Sequence, residues 1–497
     1  MDWGRARRIT ALGIGVLVLA TACATKTAQI DPPGGSGSAD WGACEDVDRV
    51  ANTTMECTTI TVPADWNAPD NGETMEIALL RARNDRQTDR IGSLVINPGG
   101  PGGSGIDFAA YLAESLPTEI LSRFDIIGFD PRGVARSTPV DCITDADKDA
   151  INGFSPDPVS DTDFQALVAL QQNAVGGCYS QYGDGLARYA SAQAARDIDA
   201  IRTTVGDPKL TYLGFSYGTL LGALYAQQNG ANLRAAVLDG AVDPGQDDVA
   251  TSEGQAAAFE LAFDNFTAWC KNRGSACELG ADPRKYVMDL LAKVTANPPA
   301  ANGRQATSGW VLTAVIAALY DESAWPYLSA GLSEADAGNP DLVFQIADNY
   351  VGRSATGEYD NSTDAFTAVT CSDDASVETV EEIRGYQGEW RAKYPMFGAP
   401  LATTLLPCAL WQAPRAPYPT GAATGGPTIV VVGTKGDPAT PYANTAKLAA
   451  QLGTGEVLTW EGEGHTAYPK TPCITDAVNG YLIDLTVPPA GTVCPAR

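Results

Sequence analysis

Residues 209–222 read KLTYLGFSYGTLLG, and this stretch decides the fold. The run LTYLGF (210–215) has the apolar and β-branched content of a short buried strand, and GTLLGALYAQ follows with the small and apolar residues of a buried helix. Between them stands Gly214-Phe215-Ser216-Tyr217-Gly218. A Gly-x-Ser-x-Gly segment at a strand-to-helix junction makes a sharp turn that exposes the serine hydroxyl at the carboxyl edge of a sheet. The helix N-terminus beneath that hydroxyl favours developing negative charge.

Other apolar runs of strand length flank this one: 75–80, 92–97, 124–130, 235–240, 428–433 and 456–460. Several lack polar alternation, as expected of parallel strands covered on both faces. Helical patterns separate them. Residues 191–205 open with a serine suited to a cap and carry Ala195, Ile198, Ile201 and Val205 at helical spacing, and 217–228 and 474–485 read the same way. Alternating strands and helices imply an α/β fold built on a mostly parallel sheet. The alternation stops between about 245 and 420, where SEGQAAAFELAFDNFTAWC (252–270) and GWVLTAVIAALY (309–320) are helical, and it resumes at Pro427. The expected organisation is a core over 41–245 and 421–497 with a helical cap inserted at 246–420.

A serine hydroxyl needs a base near neutral pH. The chain of 497 residues contains one histidine, His465, in a glycine-rich loop after the last strand-like run. Asp437, in GTKGDPATP (433–441), follows the preceding strand and is the expected orienting carboxylate. The order Ser216, Asp437, His465 is that of α/β-hydrolase triads. Asp239, at the end of AAVLDG (235–240), is the competing acid. An oxyanion hole would take one N–H from Tyr217 and another from NPGGPGGSG (97–105), at Gly99 or Gly100, with Gly100 preferred. Asp130 and Arg132 in FDPRG read as a structural turn pair, outside the catalytic set.

These motifs, together with FDPRGVARST (129–138) and GEGHTAY (462–468), run in the order found in secreted bacterial tripeptidyl-aminopeptidase-like α/β hydrolases, relatives of prolyl aminopeptidase. The chain resembles that family from about residue 58 to 470. Prolyl aminopeptidases begin the glycine loop with histidine; Asn97-Pro98 stands here, as in the secreted branch. The resemblance implies an α/β-hydrolase fold with a helical cap over the site, and hydrolysis of peptides from a free N-terminus without metal or cofactor. Such an exopeptidase must recognise an ammonium group. Asp373 in TCSDDA (370–375) is the expected partner, with Asp321 and Glu322 as other cap carboxylates. The alternative for Asp373 or Asp374 is capping of the helix in SVETVEEIRGY (376–386). An esterase or lipase would use the same triad, and a non-enzymatic surface lipoprotein would need none of it.

Acidic residues outnumber basic ones 60 to 33, for a formal charge of −27, so nucleic acid is not an expected partner. Arg5, Arg7 and Arg8 precede the apolar run ITALGIGVLVLATA (9–22), the pattern of an export signal over 1–22. It ends in LATAC, which makes Cys23 a candidate lipidation site and the only expected link to a membrane. Residues 23–40 read as a flexible tether to an exported, monomeric protein. The other ten of the eleven cysteines suit an oxidising compartment. Pairing each with its sequence neighbour gives Cys44–Cys57, Cys142–Cys178, Cys270–Cys277, Cys371–Cys408 and Cys473–Cys494, although sequence alone leaves connectivity open. With no CxxC and one histidine, a zinc site is not expected.

Overall fold

The structure, a computed structural model, describes residues 39–497. The expected signal segment, Cys23 and nearly all of the tether lie outside the described residues. Among those described, no helix is long and apolar enough to cross a membrane.

Eight main strands form one sheet. They are β1 (Thr53–Pro63), β2 (Thr74–Asn84), β3 (Gly92–Asn97), β4 (Phe124–Phe129), β5 (Leu210–Phe215), β6 (Leu233–Asp239), β7 (Ile429–Gly436) and β8 (Gly455–Glu463). Their order is β1-β2-β4-β3-β5-β6-β7-β8, with short strands Gly42–Ala43 and Thr492–Cys494 at the two edges. β1, β2 and β4 pair antiparallel, and the remaining neighbours from β4 to β8 run parallel. Every residue of β3, β4 and β5 is buried, which explains their unbroken apolar runs. Helices Ser191–Thr204 and Tyr217–Asn229 pack on one face, through Ala195, Ile198, Ile201 and Leu220 among others. Helices Gly105–Ser115 and Pro472–Asp484 cover the other, through Ile106, Leu112, Ile474 and Val478.

Between β6 and β7 the chain runs through helices from Asp248 to Ala409. They enclose a second apolar core around Phe259, Phe263, Phe266, Trp310, Trp325, Phe344 and Phe397. Two helices from the first half of the chain, Asp145–Gly153 and Asp161–Tyr182, join this roof. Phe164, Leu167 and Val168 pack with Ile383, Trp390, Leu405 and Leu406. A buried ion pair, Lys148 to Asp364 at 2.6 Å, ties the first of these helices to the inserted ones. Asp364 also accepts the N–H groups of Cys142 (2.8 Å) and Ile143 (2.6 Å), so its charge is met from both sides.

Asp130 and Arg132 both serve the packing, but they do not pair with each other as the turn suggested: Arg132 turns to Asp197 and Asp130 to Arg136. Arg132 is fully buried and forks onto Asp197 at 2.7 and 2.8 Å. Asp130 accepts Ser104 Oγ (2.7 Å) and the Ile106 N–H (3.2 Å), fixing the end of the glycine loop.

The ten cysteines form the five neighbour-to-neighbour bridges. A denatured, unreduced sample is therefore expected to titrate no thiol beyond any unprocessed Cys23; two or more thiols per chain would contradict complete pairing. Breaking a bridge should destabilise its segment by about 2–5 kcal/mol.

Candidate active site

Ser216 sits at the tip of β5 with φ 55° and ψ −126°, a conformation costly for any residue with a Cβ. The flanking glycines are sterically required. A Cβ on Gly214 would lie 2.3 Å from the Gly218 carbonyl, and one on Gly218 would lie 2.7 Å from the Asn97 carbonyl. The Ser216 N–H donates to the Asp239 carbonyl at 2.9 Å, tying the turn to the end of β6.

His465 follows β8 in a tight loop. Gly464 has φ 92°, and a Cβ there would meet the Tyr320 carbonyl at 2.6 Å. That carbonyl accepts the His465 N–H at 2.8 Å, and the Tyr320 ring stands edge-on to the imidazole with centroids 5.2 Å apart. The roof therefore buttresses the imidazole directly.

Asp437 and His465 are brought together. His465 Nδ1 lies 2.9 Å from both carboxylate oxygens. Asp437 also accepts the N–H groups of Ala439 and Thr440 and the Thr440 hydroxyl, each at 2.9 Å. Burial opposes its charge most strongly, but attraction to His465 and these hydrogen bonds outweigh it and hold the carboxyl below its ordinary range. An ionised Asp437 can only accept, so Nδ1 carries a proton, and in the neutral imidazole Nε2 is then the acceptor. The imidazole Cε1 edge lies against Gly240, where a Cβ would sit 3.1 Å away, next to the residue whose carbonyl holds Ser216.

Asp239, the competing acid, has other partners. Its buried carboxylate accepts the Ala467 N–H (2.9 and 3.0 Å) and the Tyr468 N–H (2.7 Å).

The glycine loop crosses directly over the serine turn. A Cβ on Gly99, at φ 96°, would lie 2.8 Å from Ser216 Cβ and 2.9 Å from the Tyr217 nitrogen. The Gly99 N–H donates to Asn97 Oδ1 at 3.0 Å. The next N–H in the loop belongs to Gly100.

Asp373 is the last residue of helix Ser362–Asp373, beside the Cys371–Cys408 bridge. It accepts the Ser191 N–H at 2.8 Å and the Ser191 hydroxyl at 2.5 Å. Ser191 Oγ also lies 2.5 Å from the hydroxyl of Tyr217. Ser191 thus departs from its expected role as a cap. Ala190 holds that position, and the serine hydroxyl is drawn to the carboxylate and phenol instead. Nor does Asp373 or Asp374 cap the following helix. Thr379 does so, in a reciprocal box with Glu382, while Asp374 pairs with Arg415. Asp321 caps a short turn through the Ser323 N–H at 2.8 Å, and Glu322 meets Arg497 at 3.3 Å.

Burial pushes Asp373 up to about 7, and nearby Asp248 is likewise raised to about 7, first by burial and then by Asp374. Among the described residues neither has a cation within ion-pair distance. Asp248 escaped notice in the sequence because an acidic residue in a first helical turn is ordinary. Asp248, Asp374 and Cys408 bring ligand-type atoms within 4.8 Å of one another, but the Cys408 sulfur is in a disulfide and Asp374 is taken by Arg415.

The family described as "TAP-like protein" matches residues 394–494. The chain is 38% identical to "Serine protease Hip1" of Mycobacterium tuberculosis over 465 residues, covering 88% of this chain and 87% of that protein. It is 37% identical to "Carboxylesterase B" of the same species, over 91% of this chain and 89% of that protein. With "Tripeptidyl aminopeptidase" of Streptomyces lividans it shares 29% identity, over 92% and 88%.

Proposed function

The chain belongs to the TAP-like family of α/β hydrolases, and we propose that it is an exported serine exopeptidase that releases short peptides, tripeptides foremost, from free N-termini. Ser216 is the nucleophile. As its oxygen attacks the scissile carbonyl, His465 Nε2 takes the hydroxyl proton, and ionised Asp437 steadies the imidazolium through Nδ1. The N–H groups of Gly100 and Tyr217 receive the developing oxyanion. The imidazolium then passes its proton to the leaving amine, which leaves an acyl-enzyme on Ser216. Water attacks that ester with His465 again as base, and the released peptide restores the serine.

The observation that carries the exopeptidase reading is Asp373. A half-buried carboxylate with no cation in ion-pair reach among the described residues, joined through Ser191 to the tyrosine after the nucleophile, is a partner for the substrate's ammonium. Residues 246–420 are taken as the roof that carries it over the site. The carboxylesterase relative supports an ester-cleaving activity as the second reading, since acyl transfer to serine serves both bonds. Export over 1–22, lipidation at Cys23 and a monomeric state complete the proposal; the five disulfides favour export.

A panel of fluorogenic substrates tests this. Free tripeptidyl amides are expected to be cleaved, and their N-acylated counterparts to be rejected. Faster turnover of N-blocked peptides or simple esters would put the esterase reading first.

The amine site also predicts a pH signature. Asp373 must be ionised to pair with an ammonium, and burial raises its carboxyl to about 7. Protonation below that value removes the charge, so KM for free-amine peptides should climb as pH falls from 7 to 5.5. The peptide amine, with a pKa of about 8, is almost fully protonated throughout that window. KM for an uncharged ester should stay flat over this range; parallel behaviour of the two substrates would contradict the assignment.

A further inference from the structure

Asp239 touches both halves of the catalytic apparatus. Its backbone carbonyl accepts the Ser216 N–H at 2.9 Å, and its carboxylate accepts the N–H groups of Ala467 and Tyr468 at 2.7–3.0 Å. Those two residues come directly after His465-Thr466. The carboxylate is fully buried and lacks an ion-pair partner among the described residues. Burying a lone charge is unfavourable, so its presence calls for a task that a neutral residue would do less well.

The geometry of the histidine loop supplies that task. Gly464 has φ 92° and Thr466 has φ 61°, the latter a left-handed conformation that a β-branched residue strongly disfavours. Such a turn persists only where its surroundings over-determine it. Three groups do so here. Tyr320 accepts the His465 N–H, Asp437 accepts the Thr466 N–H at 3.3 Å, and Asp239 accepts the next two. Of the three, only Asp239 is also bonded to the nucleophile's own backbone.

We infer that Asp239 is a positioning residue, whose carboxylate holds the His465 loop in register with Ser216 and so sets the geometry of proton transfer between them. This rests on the triad proposed above. Burial raises the carboxyl to about 6, with Lys470 and His465, both on the clamped loop, as the charged or titratable groups acting on it. Protonation turns one acceptor oxygen into a donor and weakens the clamp on the acid side.

The test compares Asp239→Asn, which keeps size and one acceptor oxygen, with wild type, using an uncharged ester to bypass the amine site. Misplacing a catalytic group by about 1 Å costs on the order of 10²-fold. The expected result is a fall in kcat of that order with KM within about threefold, in a variant that melts as the wild type does. Because the chain has one histidine, ¹⁵N-histidine NMR of tag-free protein reads His465 alone. Its imidazole signals should broaden or split in the variant. A kcat within about threefold of wild type, with one sharp set of imidazole signals, overturns the inference. Should the asparagine variant fail to fold, Asp239→Glu, which keeps the charge but displaces it by one methylene, is read instead: a kcat within about threefold of wild type with one sharp set of imidazole signals overturns the inference. Ser216→Ala and Asp437→Asn run alongside. If these stay active the triad itself falls, whereas their inactivity beside a fully active Asp239→Asn removes only this inference.

Discussion

Ser216→Ala is expected to lower turnover roughly 10⁶-fold while the protein remains folded. In the proposed mechanism the serine oxygen forms the acyl-enzyme, and the methyl side chain of the variant retains the Cβ that the turn already accommodates. His465→Ala should cost about as much, because the chain has no second histidine to take over. Asp437→Asn should cost roughly 10⁴-fold, since an amide favours the wrong imidazole tautomer. The losses should not add, because the three side chains act as a unit. Steady-state kinetics together with a thermal melt check each variant. Activity above about a tenth of wild type in Ser216→Ala, with native melting, would falsify the serine mechanism.

Asp373→Asn is expected to raise KM for free-amine peptides on the order of 10²-fold, because breaking a buried charge pair with a ligand costs about 2–5 kcal/mol. Hydrolysis of a simple ester should change little, since Ser216, His465 and Asp437 are untouched. The asparagine keeps the length needed to reach Ser191, whose hydroxyl and N–H now hold the carboxylate. A parallel loss on both substrate classes would show that Asp373 merely packs the roof against Tyr217. The Cys371–Cys408 bridge beside it limits how far that helix end can relax after substitution.

The parts of this architecture that could be read from sequence are those whose local chemistry admits one outcome. β3 and β5 begin and end where their apolar runs do, because both faces of each strand are covered. Ser216 was legible because two glycines flank it where strand propensity gives way to helix, and the structure gives each glycine a steric reason. His465 was legible by scarcity, and Asp437 by its place after β7.

Other features were hidden because their partners are remote. β1 is rich in threonine and half-exposed, and its pairing with β2 over eleven residues is set by tertiary context. Helices Asp145–Gly153 and Asp161–Tyr182 belong with the roof only because Phe164 and Leu167 meet Ile383 and Trp390 more than two hundred residues later. Ser191 reads as a cap until the carboxylate of Asp373 is placed beside it. Asp239 and Asp437 are each an acid at a strand end, and in sequence only the order of the motifs favours Asp437. The path of the loop after β8 separates them, giving one the imidazole and the other the backbone that follows.

Acid-quenched mass spectrometry during turnover of a free N-terminal peptide tests the central claim most directly. The expected result is an intact-protein adduct equal in mass to a short N-terminal fragment less one water, a tripeptide foremost, mapping to the peptide that contains Ser216 and missing when the substrate is N-acylated. An adduct on another residue, or one formed equally well from the N-acylated peptide, would contradict it.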